Sequence, residues 1–244
     1  MLVIGATSTI AECLARLFAK ESAHLFLLAR DPTRLKAVRG DLLARGAGRV
    51  ETECFDAAQL ETLESVLDSA WNAMGTIDVA VVCHGTLTDQ DKAEQSTTYA
   101  AREFTINGTS ATLLITALGA RFAAQKQGSL AVLGSVAGDR GRASNYLYAA
   151  AKSAVAVCAE GLRAKLYRQG VSVLTVKPGY VRTAMTADLA LPGPLVASAD
   201  RVAGDIHRAI KRGKSGVLYT PWFWRWIMVV IRLIPPAIFV RLPL

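Results

Sequence analysis

The sequence predicts an α/β fold built on one doubly wound parallel sheet. Short apolar runs typical of buried strands alternate with longer segments in which apolar residues recur at helical spacing, and turn residues separate the two. Alternating strands and helices pack as a parallel sheet with helices on both faces. At 244 residues, 52% of them hydrophobic, the chain fits a single large domain of this class.

The first elements are marked by the residues that end them. The apolar run Leu2–Ile4 predicts a strand that stops at a glycine, and residues 9–20 carry apolar side chains at helical spacing. The run HLFLLA over His24–Ala29 predicts a second buried strand. An Asp-Pro pair at 31–32 then supplies an N-cap and a first-turn proline for a helix that ends near residue 46.

The same alternation continues to residue 219. Strands are predicted at 50–55, 77–83, 129–133, 171–176 and 216–219, and helices at 58–73, 97–125, 146–167 and 199–212. One long irregular stretch is predicted over residues 178–198, a length that usually marks a functional loop. Ligands of such sheets bind at the carboxyl ends of the strands, so the residues that follow each strand are the candidates for a site.

Composition narrows the function classes. The formal net charge is +8, and residues from 201 onward hold eight Lys/Arg against one acid, a net +7. This distribution suits an anionic membrane surface better than nucleic acid, which we exclude as a partner.

No metal is predicted, because a lone Cys-His pair at 83–84 leaves coordination incomplete. No signal peptide fits the start, so a cytoplasmic location is expected. The cysteines, expected as buried free thiols in a reducing compartment, are Cys13, Cys54, Cys83 and Cys158.

Two turns are candidates for a dinucleotide site. The stretch GATSTIAE after the first strand can aim backbone N–H groups and a helix N-terminus at a phosphate, although an ordinary capped strand–helix turn explains it too. Its candidate residues are Gly5, Thr7, Ser8, Thr9 and Ile10. At the end of the second strand, Arg30 can pair with a 2′-phosphate and so favours NADP(H) over NAD(H). The adjacent Asp31 is explained as the cap of the next helix.

Two further segments contain candidate catalytic residues. In YAAAK, Tyr148 and Lys152 are four residues apart, so on a helix both side chains face the same way. A nearby ammonium is expected to lower the tyrosine pKa and suit it to exchange a proton with a carbonyl oxygen. Ser135 ends another buried strand and can polarise the same oxygen. Each feature alone is common in proteins, but all of these segments are predicted to meet at one edge of the sheet, where the strands end.

Together these motifs resemble the short-chain dehydrogenase/reductase family over residues 1–219, which implies a Rossmann fold. The resemblance adds Asn107 as a fourth catalytic residue beside Ser135, Tyr148 and Lys152, placing it at a kink in the long helix where it holds a water in a proton relay. It implies further cofactor contacts, which are Asp56, Ala57, His84, Gly85, Pro178, Gly179, Val181 and Thr183. Both later glycines of the family's first motif and the asparagines after the fourth strand are replaced here, which leaves the finer cofactor contacts open.

By this resemblance the chain is an enzyme that reduces a ketone or aldehyde with a nicotinamide cofactor. Tyr148 is the expected general acid, Lys152 lowers its pKa and binds the nicotinamide ribose, and Ser135 holds the carbonyl oxygen. The oxidative direction reverses these roles. A homodimer or homotetramer through the two long helices is the oligomeric state that the family implies.

The last segment is predicted as a separate extension, with a catalytic domain over 1–220 and an amphipathic tail over 221–244. A helix over 222–234 would carry Arg225 and Arg232 on one face and tryptophans and aliphatic residues around the rest, as in a helix that lies on a bilayer surface. Interrupting arginines and Pro235-Pro236 argue against a membrane span. The alternative is a segment packed over the substrate cleft or against a partner subunit.

The substrate therefore stays open between several classes. The tail and the HGTLTDQ stretch at 84–90 also resemble the branch of the family that contains decaprenylphosphoryl-2-keto-ribose reductase. That resemblance implies a polyprenyl-phosphate keto sugar as substrate, and a peripheral position on the inner face of the membrane. One alternative is a soluble ketoreductase of acyl or small carbonyl substrates whose tail contacts another subunit, and another is a non-catalytic nucleotide-binding member.

Overall fold

A computed structural model describes residues 1–187 and 191–242 and confirms the doubly wound parallel sheet. Its strands are β1 (Leu2–Ile4), β2 (His24–Ala29), β3 (Arg49–Cys54), β4 (Val79–Val82), β5 (Gly128–Leu133), β6 (Val171–Pro178), β7 (Tyr180–Arg182), β8 (Val196–Ser198) and β9 (Gly216–Thr220). Seven of them form one sheet in the order β3-β2-β1-β4-β5-β6-β9, with every neighbouring pair parallel. The other two, β7 and β8, pair with each other.

Ten α-helices connect and cover the strands in the described part of the chain. They are α1 (Thr9–Ala19), α2 (Pro32–Ala44), α3 (Leu63–Met74), α4 (Gln90–Gln95), α5 (Thr97–Phe104), α6 (Ser110–Gln125), α7 (Tyr146–Leu166), α8 (Ala199–Lys211), α9 (Trp224–Leu233) and α10 (Pro236–Phe239). One 3₁₀ turn, Val136–Asp139, follows β5 and is important for the site.

The sheet separates two apolar cores. Side chains of β1 alternate between them: Val3 faces the core under α1, α2 and α8, whereas Leu2 and Ile4 face the core under α3, α6 and α7. All three are fully buried, as expected of a central strand covered on both faces. This explains why the strands read as continuous apolar runs in the sequence.

Some boundaries differ from the predictions. The helix predicted over 97–125 is divided into α5 and α6 by a π-helical segment, Thr105–Thr109, and α4 precedes it unpredicted. The stretch predicted as irregular over 178–198 contains β7 and β8, while its residues 188–190 lie outside the described part. Three-residue strands and single-turn helices leave too few residues for a periodic pattern.

The thiols are all free, but their burial varies. Cys13 and Cys83 are buried, Cys158 is partly buried, and Cys54 at the end of the edge strand β3 is exposed. The expectation of buried thiols is therefore wrong for Cys54. Edge strands have one side without a sheet neighbour, which explains why its side chain reaches solvent.

The tail helix α9 packs on the protein along one face only. Trp224 and Met228 are buried and contact Val136 in the turn after β5. The opposite face is exposed and carries Trp226, Val230 and Leu233, and Trp222, which precedes the helix, is exposed as well. The predicted stop at Pro235-Pro236 is observed, because α9 ends at Leu233 and Pro236 starts the short α10. No helix in the described ranges is long and apolar enough to cross a membrane.

Arg140 ties the end of this helix to the turn after β5. Its guanidinium donates to the carbonyl oxygens of Ile231 and Ile234, the latter at 2.7 Å, and lies 3.7 Å from the ring centroid of Phe239. Carbonyl groups in the last turn of a helix have no partner within the helix, so an arginine is a suitable cap for them. We call this contact the Arg140 clasp.

Candidate functional site

A cavity of about 710 Å³ lies at the carboxyl ends of the strands, where the strand order reverses between β1 and β4. Every site residue predicted from the sequence lines it: Gly5, Thr7, Ser8, Thr9, Ile10, Arg30, Asp56, Ala57, His84, Gly85, Asn107, Ser135, Tyr148, Lys152, Pro178, Gly179, Val181 and Thr183. Their convergence follows from the parallel sheet, which brings the ends of distant segments to one edge. The functional roles of these residues stay predictions.

Ser135, Tyr148 and Lys152 are held by the junction of β5 with α7. The Ser135 hydroxyl oxygen accepts from the Ala137 N–H at 3.1 Å and caps the 3₁₀ turn. That turn lies directly on α7, because a Cβ at Gly138 would be 2.8 Å from the Lys152 carbonyl carbon. Lys152 Nζ donates to the Leu133 carbonyl oxygen at 3.3 Å and lies 5.7 Å from the Tyr148 ring centroid.

Burial, rather than the lysine charge, dominates the pKa values here. It raises the pKa of Tyr148 to about 12, an effect that the nearby Ser135 hydroxyl opposes. Burial thus sets the direction of the net shift of the tyrosine pKa, and a lowering contribution from Lys152 stays a prediction. Burial lowers the pKa of Lys152 itself to about 8. At neutral pH the phenol keeps its proton, the state that a proton donor needs.

Asn107 lies in the π-helical segment between α5 and α6 and is completely buried. Its Oδ1 accepts from the Thr86 N–H at 2.9 Å, and its Nδ2 donates to Thr86 Oγ1 at 2.9 Å. Thr86 Oγ1 in turn donates to the carboxylate of the buried Glu103 at 2.7 Å. A Cβ at Gly85 would be 3.0 Å from Asn107 Oδ1 and 3.4 Å from Lys152 Nζ, so both polar groups border the space that a side chain at this position would occupy.

His84 forms part of the cavity wall. Its Nε2 lies 2.8 Å from Ser110 Oγ, which itself donates to the Ile106 carbonyl oxygen at 2.9 Å. Burial, followed by the Lys152 charge, lowers the pKa of His84 to about 3, so the ring is neutral at physiological pH. The turn after β1 lies on its backbone, because a Cβ at Gly5 would be 2.5 Å from the His84 nitrogen. Gly5 also has φ +83°, a value that favours glycine.

The turn after β1 and the end of β2 fit a dinucleotide. The hydroxyl of Ser8 makes no capping bond to α1, although Ser8 occupies the N-cap position and lines the cavity. The N-terminus of α1 and its flanking hydroxyls therefore face the space where a pyrophosphate could bind. Asp31 Oδ1 is engaged as predicted, accepting from the N–H groups of Thr33 at 2.9 Å and Arg34 at 3.1 Å.

The segment after β6 is supported from behind by the tail. Pro178, Gly179, Val181 and Thr183 line the cavity, and a Cβ at Gly179 would lie 1.9 Å from ring atoms of Trp224. Only a glycine at this position lets the indole approach so closely. The buried face of α9 thus supports one wall of the cavity.

Several lining residues were not predicted. Arg34, like Arg30, lines the cavity; it donates to the Thr7 carbonyl oxygen at 2.7 Å and pairs with the Glu12 carboxylate at 3.4 Å. On the other side of the cavity, the loop between Ser135 and Tyr148 contributes Arg142, Ser144 and Asn145. Both groups follow strands whose ends were already identified as site candidates. Their position after these strands marks the two segments, but no local pattern distinguishes these residues within them.

Comparison with known proteins assigns the family. The model of the short chain dehydrogenase family matches residues 1–192. The chain therefore belongs to the short-chain dehydrogenase family and is an oxidoreductase, which sets aside the non-catalytic alternative. An uncharacterized oxidoreductase of Mycobacterium tuberculosis is 35% identical over 243 residues, which cover 100% of this chain and 96% of the relative. An uncharacterized oxidoreductase of Streptomyces coelicolor is 33% identical, with 99% and 95% coverage.

A solved structure shows the same fold. The short-chain dehydrogenase from Sphingobium yanoikuyae, in complex with NADPH, superimposes with a TM-score of 0.81 at 25% identity. The match covers 97% of this chain and 96% of that one. It extends beyond the 192 residues of the family match and so includes part of the tail segment.

Proposed function

We propose that the chain reduces a ketone or aldehyde carbonyl to an alcohol with NADPH. The observation that carries this proposal is the convergence of Ser135, Tyr148, Lys152 and Asn107 on one cavity beside the turn after β1. A nicotinamide cofactor, when bound, supplies the hydride that reaches the carbonyl carbon. The residues of this chain orient the carbonyl and supply the proton.

The proposed roles follow from the geometry and the pKa values. Tyr148, protonated at neutral pH, donates its phenolic proton to the carbonyl oxygen. The Ser135 hydroxyl donates a hydrogen bond to the same oxygen and so stabilises the developing negative charge. The Lys152 ammonium adds positive charge beside the phenol and stabilises the phenolate left after proton transfer. Asn107 positions the Gly85 segment through its bonds to Thr86.

The preference for NADPH is supported by the cations after β2. Arg30 and Arg34 both line the cavity, whereas the carboxylate of Asp31 is engaged in capping α2. Arg34 already donates to Thr7 and pairs with Glu12, so the preference depends mainly on Arg30, whose guanidinium favours a ribose that carries a 2′-phosphate. The NADPH found with the Sphingobium enzyme agrees with this preference.

The test is an assay of NADPH oxidation, monitored by absorbance, in the presence of each of a panel of hydrophobic and hydroxylated ketones. Tyr148→Phe should lower kcat/KM by about 100-fold or more, because it removes the proton donor. Tyr146→Phe is the matched control, since Tyr146 is exposed two residues earlier on the same helix. Equal activity of Tyr148→Phe and the wild type would contradict the proposal, and the NADPH-to-NADH rate ratio reads the cofactor preference.

We further infer a hydrophobic, lipid-linked substrate and contact of the tail with an anionic bilayer. The exposed face of α9 carries Trp226, and the exposed Trp222 lies just before the helix. Arg225 and Arg232 are exposed beside this face. This combination suits the interface of an anionic membrane, where tryptophan lies among the headgroups and arginine pairs with phosphates. A substrate such as a polyprenyl-phosphate keto sugar would then reach the cavity from the membrane that the tail contacts. We also propose a peripheral position on the inner face of the membrane.

The division into a catalytic domain over residues 1–220 and a tail over 221–244 stays a proposal. The tail supports the cavity through Trp224 and presents its other face outward. For the assembly we propose a dimer or tetramer through α6 and α7, because Leu113 and Val157 are exposed apolar side chains on these helices. The mass of the particle in solution tests this assembly.

A further inference from the structure

The loop between Ser135 and Tyr148 brings a second set of polar side chains into the cavity. Arg142, Ser144 and Asn145 line the same space as the proposed catalytic residues. A backbone hydrogen bond of 3.2 Å from the Asn145 N–H to the Arg142 carbonyl oxygen closes this part of the loop into one turn. The two side chains thus start from the two ends of a single turn.

Arg142 has a buried donor with no acceptor in the described part of the chain. Its Nε is shielded from solvent and has no hydrogen-bond partner among the described residues. Neighbouring cations differ: Arg140 donates to the carbonyl groups at the end of α9, and Lys152 donates to the Leu133 carbonyl oxygen. A buried N–H group without a partner is costly, so native proteins usually provide one, from the protein, water or a ligand.

Asn145 presents the complementary group. It occupies the N-cap position of α7, where an asparagine side chain normally accepts from the first backbone N–H groups of the helix. Here it makes no such bond, and its Oδ1 is buried without a partner among the described residues. The turn therefore contributes two groups without a hydrogen-bond partner among the described residues: the cationic donor of Arg142 and the neutral acceptor of Asn145. Both residues line the proposed active site.

We propose that Arg142 and Asn145 form the substrate-specificity subsite of this cavity, a proposal that rests on the proposed carbonyl reduction. Arg142 donates to an oxyanion of the substrate, and Asn145 Oδ1 accepts from a hydroxyl of the same molecule. The ligand class is a hydroxylated ketone that carries a phosphate. Both a lipid-linked phosphodiester and a free phosphate monoester offer this chemistry.

The test is calorimetric binding to the full chain, with and without NADP⁺, which cannot donate hydride and so permits no reduction. The probes are D-ribulose, D-ribulose 5-phosphate and a farnesyl-phosphate-linked 2-keto pentose. Arg142→Gln should weaken binding of at least one phosphate-bearing ligand about tenfold or more, because a charged hydrogen bond is lost, and change D-ribulose by less than about threefold. Arg142→Lys should fall between the wild type and Arg142→Gln. Arg168→Gln, at an exposed position after α7, is the matched control.

Two further readouts separate the possible roles. Asn145→Ala should weaken all three ligands by a similar factor, because the lost contact is to a sugar hydroxyl. A farnesyl-linked ligand that binds more tightly than D-ribulose 5-phosphate identifies the lipid as the source of the phosphate, and the reverse order identifies a free sugar phosphate. Thermal melting of each variant shows that it is folded.

Three results would overturn the subsite: an unchanged ratio between phosphate-bearing and neutral ligands in Arg142→Gln, no binding of any ligand by the wild type, or a loss confined to NADP⁺ affinity. Turnover with NADPH is measured separately. Absence of turnover with an Arg142-dependent phosphate preference would reject the reaction and retain the subsite. Turnover of phosphate-bearing and neutral ketoses without any effect of Arg142→Gln on their ratio would retain the reaction and reject the subsite.

Discussion

Lys152 is a cationic side chain that the fold buries almost completely, with 4% of its surface exposed. Its pKa of about 8 in the folded protein lies below the usual 10.5 because the ammonium is taken out of water. Between these two values the unfolded chain binds more protons than the folded one, so stability rises as pH increases from about 8 to 10.5. Below about pH 8 the folded protein carries the whole cost, of the order of 3 kcal/mol.

Replacing Lys152 by Met should therefore abolish activity and raise the free energy of unfolding near neutral pH, by up to that amount. The difference between variant and wild type should shrink as pH rises through the interval from 8 to 10.5. Urea unfolding at a series of pH values measures it. Lys165→Met, exposed on the same helix, should show no such trend. A pH-independent difference at Lys152 would mean that burial does not control its ionisation.

The sequence identified the residues whose spacing is itself informative. Tyr148 and Lys152 face the same way because four residues are about one helical turn, and Ser135 follows a recognisable buried strand. Arg142 could not be recognised in this way. An arginine that lines a cavity and one in solvent look alike in a loop sequence, and only the packing of the loop on α7 distinguishes them.

At the scale of elements, the packing of α9 against the junction of β6 and β7 is sensitive to the addition of a single methyl group. Gly179→Ala should destabilise the protein by about 1–3 kcal/mol and lower kcat/KM, since its Cβ would meet the Trp224 ring at 1.9 Å. Trp224→Ala should cost about 3–5 kcal/mol through the lost packing. Denaturant unfolding of both variants and their combination measures the coupling.

The double variant should be more stable than the sum of the two changes predicts, because removing the indole makes room for the methyl group. Gly193→Ala provides the control, since a Cβ there would meet no atom of the described residues within 4 Å. Strict additivity of the two changes would show that Trp224 and Gly179 do not contact each other in solution.

The tail shows why element-scale prediction was incomplete. Its helix and its stop at the proline pair follow from local preferences, and both were predicted within two residues. Which face is buried does not follow from them. The arginines suggested a narrow polar stripe and a broad apolar surface, but docking on Val136 and Gly179 buries Trp224 and Met228 and leaves other apolar residues outside.

At the scale of the whole molecule, charge and exposed apolar area coincide at one end of the chain. The full chain should float with liposomes that contain anionic lipid, and less with neutral lipid or at high salt, which screens the arginines. Trp226→Ser combined with Val230→Asp should abolish flotation without disturbing the buried Trp224 face. Tyr167→Ser, which alters an 81% exposed aromatic residue elsewhere, should float like the wild type.

Failure of the wild type to float would reject the membrane contact. A lower particle mass of the double variant would then assign the exposed face of α9 to a contact between subunits. The substrate would in that case be sought among small or acyl-linked ketones, because a route from the bilayer would no longer exist.

The Arg140 clasp has a consequence for a chain shortened at its end. All seven strands of the large sheet lie before residue 221, so a chain truncated there keeps every strand of the scaffold. The carbonyl groups that Arg140 binds belong to residues 231 and 234, and the indole behind Gly179 belongs to residue 224. Truncation after residue 220 would therefore remove supports of the cavity without removing any strand of the sheet.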